Sequence, residues 1–102
     1  MAQRTIEVRL EPESAPARFQ VTVLERDTQT RHQVRLAPSF HQRIAGRMPP
    51  EAVIEAAFRF LLDREPRESI LPTFDISVIS RYFPEFDREL PRYLAAGGAG
   101  EG

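Results

Sequence analysis

The sequence predicts an α+β domain, with a three-stranded antiparallel sheet in the N-terminal half covered by three or four helices from the C-terminal half. Between residues 5 and 36, apolar and polar residues alternate in short runs, which is typical of strands with one buried face. From residue 39 onward, apolar residues recur at spacings of three and four, which is typical of helices. With 102 residues, 41% of them hydrophobic, the chain can build one modest core, so residues 1–95 are predicted to form a single domain.

Three alternating runs predict the strands. Their apolar faces consist of Ile6, Val8 and Leu10, then Phe19, Val21 and Val23, and finally His32, Val34 and Leu36. The polar stretch at residues 26–30 predicts a hairpin with a four- or five-residue loop between the second and third strands. Because three strands with one apolar face are not stable alone, the helices are expected to cover that face.

Two helices are predicted between residues 39 and 64. Ser39, followed three residues later by Gln42, is a capping-box pattern, and Gly46 ends this short helix. The second helix begins at Pro49 and ends before Pro66, and it is predicted to be the central core helix. Its apolar stripe consists of Ile54, Ala57, Phe58, Leu61 and Leu62.

The C-terminal segment predicts a third helix, an interrupted helix and a tail. Asp75 is a suitable N-cap for a helix over Ile76–Phe83. Glu85–Leu90 has a helical pattern, and Pro91 should break or kink it because proline lacks a backbone donor. The glycine-rich residues 96–102 are predicted to be disordered.

Composition narrows the classes of function. The absence of cysteine excludes thiol catalysis, disulfides and cysteine-ligated metals. The 14 cations, all arginine, nearly balance 15 acids, so the net charge of −1 does not attract nucleic acid or an anionic membrane. The sequence holds no apolar run of about 18 residues and no signal-peptide pattern, so we expect a cytoplasmic protein without a membrane partner.

No arrangement of side chains predicts catalysis or metal binding. A metal site needs three or four converging ligands, whereas the two histidines, His32 and His41, lie nine positions apart without cysteine. The carboxylates stand mostly beside arginines near helix ends, where ion pairs explain them, although a paired-carboxylate enzyme is an alternative. We therefore expect a non-enzymatic protein without cofactor or metal.

Two adjoining segments carry a family resemblance. The stretch EAAFRFLLDREPRESIL at residues 55–71, followed by FDISVISRYFPEF at residues 74–86, resembles a small uncharacterised family of bacterial domains of unknown function. The resemblance covers about residues 19–93. It implies a bacterial origin, and it implies neither an activity nor site residues.

An aromatic segment near the C-terminus suggests a protein interface. Five of the nine aromatic residues fall between residues 74 and 93, interleaved with arginines, and these residue types are enriched at interfaces. The candidate interface residues are Tyr82, Phe86, Arg88, Arg92 and Tyr93. This predicts a protein-interaction module that binds another protein or a second copy of itself as a homodimer, and a purely structural role in the core is the competing interpretation.

A basic stretch suggests a nucleic-acid interface as the alternative. Residues 28–47 contain four arginines and no acid, namely Arg31, Arg35, Arg43 and Arg47. Outward-pointing arginines on a two-stranded ribbon can contact phosphates, although four charges are a small footprint. A solvated strand face is the commoner explanation for such arginines, and ion pairs of Arg31 and Arg35 with the acids of the second half are another.

Overall fold

A computed structural model of the chain describes residues 4–11 and 18–101. Within these ranges the chain forms four strands, four α-helices and one turn of 3₁₀-helix. The strands are β1 (Arg4–Leu10), β2 (Arg18–Glu25), β3 (Thr28–Arg35) and β4 (Thr73–Asp75). The helices are α1 (Pro38–Ala45), α2 (Pro50–Leu62), α3 (Ser77–Tyr82) and α4 (Phe86–Glu101), with the 3₁₀ turn at Arg67–Ser69 between α2 and β4. The α+β class is therefore confirmed.

The sheet is mixed, with strand order β1-β2-β3-β4. The first three strands are antiparallel as predicted, and they align Val8, Val21 and His32 across the sheet. The sequence prediction missed the fourth strand. This strand, β4, pairs in parallel with β3 and places Phe74 beside Val34. A strand of three residues is too short to show the alternation that marks the other three.

The β2–β3 hairpin turns more tightly than predicted. Glu25 pairs with Thr28, so the turn consists of Arg26 and Asp27 rather than four or five residues. Arg26 adopts a left-handed φ of 57°, as two-residue hairpin turns require at this position. The polar residues at 28–30 belong to β3, where the ribbon extends towards solvent and needs no apolar alternation.

The core lies between the inner face of the sheet and α2. The sheet supplies Phe19, Val21, Val23 and Val34, and the helix supplies Val53, Ile54, Ala57, Phe58 and Phe60, all buried. The prediction of a central core helix is confirmed, with Pro49 as its N-cap and Pro50 in the first helical turn. The predicted capping box at α1 is wrong, because α1 begins at Pro38 with Ala37 as its N-cap, which places Ser39 inside the helix.

The C-terminal helices differ in their ends from the prediction. The helix α3 has Ile76 as its N-cap and Phe83 as its C-cap, so it is one residue shorter at each end than predicted. Asp75 lies just before that N-cap, and its carboxylate accepts hydrogen bonds from the N–H (3.0 Å) and hydroxyl (2.9 Å) of Ser77. The helix α4 continues through Pro91, so the predicted break does not occur, and the alternative of a kink there stays a prediction. The helix continues to Glu101, and the predicted disorder of residues 96–102 in solution stays a prediction.

Candidate functional site

An open groove of about 280 Å³ lies between the end of α2, the segment around residues 69–71, β4 and α3. Its buried floor is formed by Leu61, Ile70, Phe74 and Ile79. These residues come from four different parts of the chain, and the short strand β4 brings them together by attaching the segment after α2 to the edge of the sheet. The groove is therefore a product of the crossover from β3 to β4.

Two large hydrophobic side chains at the rim of this groove face solvent. Leu71 is 49% exposed and Tyr82 is 70% exposed. Leaving a large apolar side chain in water forgoes about 1.5–3 kcal/mol relative to burying it. A groove whose apolar floor continues into an exposed apolar rim is typical of a binding surface.

The groove holds one carboxylate. Glu65, half-buried in the segment after α2, lines the groove and has no ion-pair or hydrogen-bond partner for its carboxylate among the residues that the structure describes. Ser69, which is exposed, adds a hydroxyl. An apolar groove with a single unpaired negative charge favours a ligand that combines apolar groups with a cation.

His32 holds one wall of the groove in place. Its Nδ1–H donates to the carbonyl of Leu71 (2.8 Å), and the hydroxyl of Thr30 donates to its Nε2 (3.0 Å). Burial lowers the pKa of His32, and the hydrogen bond to Leu71 opposes this only in part. Burial thus favours the neutral form of the imidazole. The ring is 4% exposed and packs on Phe58, with ring centroids 5.3 Å apart. The sequence places His32 on the core face, and the structure confirms this.

The opposite wall, α3, is tied to two other helices by Asp87. The carboxylate of Asp87 accepts hydrogen bonds from the hydroxyl of Ser80 on α3 (2.8 Å) and from Nη1 of Arg43 on α1 (3.0 Å). Partial burial acts to raise the pKa of Asp87, but these two hydrogen bonds outweigh it and hold the pKa below its usual value. The hydrogen bond between Asp87 and Ser80 positions α3 beside the groove.

An aromatic cluster centred on Phe60 holds α4 against α2. The ring of Phe60 meets Phe83, Phe86 and Tyr93 edge to face, with centroids 5.0–5.7 Å apart. The guanidinium of Arg64 lies 3.7 Å from the Phe60 centroid. The aromatic residues of the C-terminal segment thus serve mainly to pack the helices.

Polar groups close the edge of this cluster. The hydroxyl of Tyr93 donates to Asp63 (2.6 Å) and accepts from Nη1 of Arg64 (3.4 Å), while Nε of Arg64 donates to Glu85 (3.1 Å). The pKa of Glu85 is lowered, first by the hydrogen bond from its own backbone N–H and next by Arg64. The end of α2 and the start of α4 are joined by this network.

The five candidate interface residues do not form one surface. Tyr82 lies at the groove, whereas Phe86 is fully buried at 0% exposure, so the expectation that its ring is free for a partner was wrong. Phe86 is buried because it lies in the first turn of α4 and packs there against Phe60 of the core. Arg88 and Arg92 are exposed on α4, and Tyr93 is half-buried in the cluster around Phe60.

The four basic candidates are also separated. Arg31 and Arg35 are exposed on the outer face of the sheet, on the side away from α2. Arg43 instead belongs to the helical layer, where it pairs with Asp87 and lies 4.9 Å from the ring of Phe40. Arg47 is exposed just after α1.

Sequence reasoning missed most of the groove. Glu65, Ser69, Ile70 and Leu71 follow α2 in a segment without helical or alternating periodicity, so no pattern assigned their faces. The available signal was an apolar pair, Ile70 and Leu71, immediately before Pro72 in a connecting segment. Such a pair indicates that a loop carries apolar contact residues, but it does not say what they contact.

Within the described parts of the chain, no group of three or more histidine or acidic side chains is placed to hold a metal ion. Both histidines bind backbone carbonyls, His41 by donating from Nε2 to Met48 (2.7 Å). No helix among residues 4–11 and 18–101 has the length and apolar character needed to cross a bilayer. No family model, curated protein or solved structure matches this chain.

Proposed function

We propose that the protein is a non-catalytic interaction module whose groove binds a segment of a partner protein. The observation that carries the proposal is the apolar floor of the groove continuing into the exposed side chains of Leu71 and Tyr82. Tyrosine is one of the residue types most often responsible for binding energy at interfaces. The aromatic surface predicted from the sequence enters this proposal through Tyr82.

The size and charge of the groove define the partner. A volume of about 280 Å³ lies below the range of about 300–1,000 Å³ that is usual for small-molecule and cofactor sites. It suits one or two apolar side chains of a peptide. The unpaired carboxylate of Glu65 calls for a lysine or arginine next to them. We therefore expect a partner segment that presents a large apolar residue flanked by a basic one.

Two further attributes belong to the same proposal. The cytoplasmic location rests on the sequence pattern, and membership of the uncharacterised bacterial family rests on the resemblance of residues 55–71 and 74–86. Neither attribute is needed for the groove to bind a peptide.

A peptide-display selection against the purified protein tests the proposal. Selected peptides should share an apolar residue with an adjacent lysine or arginine. Tyr82→Ala and Leu71→Ala should each weaken a selected peptide about tenfold, measured by fluorescence anisotropy. Glu65→Gln should remove the preference for a basic residue.

Arg88→Ala serves as the matched control, because Arg88 is exposed on α4 and does not line the groove. Its affinity for the selected peptide should equal that of the unaltered protein. Peptides that bind Tyr82→Ala and Leu71→Ala as well as the original chain would refute the groove as the binding site.

The second candidate function is nucleic-acid binding by the outer face of the sheet. The supporting observation is that Arg31 and Arg35 are exposed there on either side of Gln33, which lies opposite Gln20 on β2. Phosphate contacts predict an affinity for a labelled oligonucleotide that falls steeply as salt rises and is lost in Arg31→Ala/Arg35→Ala. Undetectable or salt-independent binding would exclude this candidate.

A further inference from the structure

The strand β1 ends the sheet with an open edge. It pairs with β2 along its whole length, from Arg4 opposite Glu25 to Leu10 opposite Phe19, and no strand within the described ranges pairs with its other side. An open edge of seven residues presents backbone donors and acceptors that favour pairing with another strand. The opposite edge, β4, has only three residues.

The backbone orientation of β1 follows from one hydrogen bond. The N–H of Glu11 donates to the carbonyl of Arg18 (2.9 Å), which continues the β1–β2 ladder by one pair. Hydrogen-bonded pairs alternate in an antiparallel ladder, so the N–H and C=O groups of residues 5, 7 and 9 also point towards β2. Those of Ile6, Val8 and Leu10 therefore point to the open edge.

The side chains at this edge are incompletely covered. Ile6 and Val8 are half-buried on the core side of the sheet, and Leu10 is 47% exposed. On the outer side, Glu7 and Arg9 are exposed, and neither has an ion-pair partner among the described residues. The edge thus combines apolar side chains on one face with one negative and one positive charge on the other.

We infer that β1 pairs antiparallel with β1 of a second copy, with Val8 opposite Val8 across a two-fold axis perpendicular to the sheet. This register sets Ile6 opposite Leu10 of the second copy, and the outward backbone groups of both strands meet as hydrogen-bonded pairs. It also sets Glu7 opposite Arg9 of the second copy, twice by symmetry. The two sheets become one continuous sheet, and the exposed part of Leu10 is covered.

Charge selects this register over its neighbours. A regular antiparallel ladder pairs residues with outward backbone groups only with one another, so under two-fold symmetry one residue lies opposite its own copy. The central choices in β1 are Glu7, Val8 and Arg9. Centring on Glu7 or on Arg9 would place like charges directly opposite, which is destabilising. Centring on Val8 pairs opposite charges at the non-hydrogen-bonded positions, where Cα atoms approach to about 4.5 Å. The strand is therefore self-complementary, which favours a second copy over an unrelated strand.

Charge reversal tests the pairing without altering the core. In analytical ultracentrifugation the purified protein should have twice the 11.7 kDa mass of one chain. This mass should not depend on whether a peptide occupies the groove. Glu7→Arg alone and Arg9→Glu alone should each weaken dimerisation about tenfold or more, because each creates two like-charge pairs. Both the double variant Glu7→Arg/Arg9→Glu and an equimolar mixture of the two single variants should restore the dimer.

Arg31→Glu is the matched control, since it reverses one exposed charge on the outer face away from the β1 edge. It should leave the dimer mass unchanged. A monomer at all concentrations, or a dimer that neither single reversal weakens, would overturn the inference. So would the capture of a different protein's strand at this edge in place of a second copy.

Cysteine cross-linking tests the register directly, because the chain contains no cysteine of its own. A mixture of Glu7→Cys and Arg9→Cys chains should form a disulfide-linked dimer under mild oxidation, since paired Cα atoms lie within the range that a disulfide spans. Each variant alone should cross-link at least about tenfold less. Efficient cross-linking of Glu7→Cys with itself would place Glu7 on the axis and refute the register.

Discussion

At the residue scale, His32 shows how a polar side chain is used inside this core. Its ring is buried because both nitrogens are satisfied, one by the Leu71 carbonyl and one by the Thr30 hydroxyl. The same bond to Leu71 fixes the segment that carries the groove rim. Burial disfavours the charged imidazole, and this loss of solvation lowers the pKa of His32, although the hydrogen bond to Leu71 opposes it in part.

This arrangement predicts a dependence of stability on pH. The pKa of His32 in the folded chain lies below its ordinary value of 6.5. As the pH falls below 6.5, His32 therefore binds a proton in the unfolded chain before it does so in the folded chain. The stabilisation is therefore present above pH 6.5 and declines as the pH falls towards the folded pKa. The free energy of unfolding should fall by at most about 1.4 kcal/mol per pH unit in this window.

Urea unfolding of the original chain and of His32→Gln, each at about pH 7 and about pH 5.5, measures this effect. The variant should be less stable at neutral pH but should lose less stability between the two pH values. Equal losses in both proteins would show that His32 is not the source.

At the element scale, the β2–β3 hairpin shows a residue placed in an unfavourable conformation. Arg26 has a φ of 57°, a region that costs a residue with a Cβ about 1–2 kcal/mol. The short turn is set by the register of the two strands, since Glu25 lies opposite Thr28. The strands therefore impose the turn, although its residues are not those that such turns prefer.

Replacing this residue should stabilise the hairpin. Arg26→Gly removes the steric cost but adds backbone freedom to the unfolded chain, so we expect a net gain of up to about 1 kcal/mol in the free energy of unfolding. Asp27→Gly is the control, because Asp27 does not have a positive φ and should lose stability on this change. Thermal unfolding of both variants measures these changes in stability. A loss of stability in Arg26→Gly would show that the positive φ of Arg26 does not destabilise the folded chain.

At the scale of the whole molecule, the aromatic residues of the C-terminal segment divide between core and surface. Phe86 is fully buried against Phe60 at the junction of α2 and α4, whereas Tyr82 is 70% exposed at the groove. The two residues lie four positions apart in the sequence and in different helices. Only the packing of the helices separates their roles.

The two alanine variants should therefore behave oppositely. Phe86→Ala should lower the free energy of unfolding by about 3–5 kcal/mol, because it leaves a cavity in the core. Tyr82→Ala should change it by no more than about 0.5 kcal/mol while weakening the binding of the selected peptide. Chemical denaturation measures the first effect and anisotropy the second. A large loss of stability in Tyr82→Ala would assign Tyr82 to the core instead of the groove.

Much of the architecture was predictable because periodicity reports which face of an element is buried. The alternation in β1 to β3 and the apolar stripe of α2 located the three antiparallel strands and the core helix from sequence alone. The hairpin loop and the path of α4 through Pro91 were not predicted, because pairing register and packing decided them.

The groove and the open edge depended on tertiary structure. The groove exists only because β4 returns to the sheet beside β3, a contact between residues about 40 positions apart that no local pattern encodes. The alternation of Glu7 and Arg9 in β1 is visible in the sequence, but its meaning depends on β1 being the outermost strand. Local composition determined which faces are apolar, and the order of the strands and the packing of the helices decided which of them stay exposed.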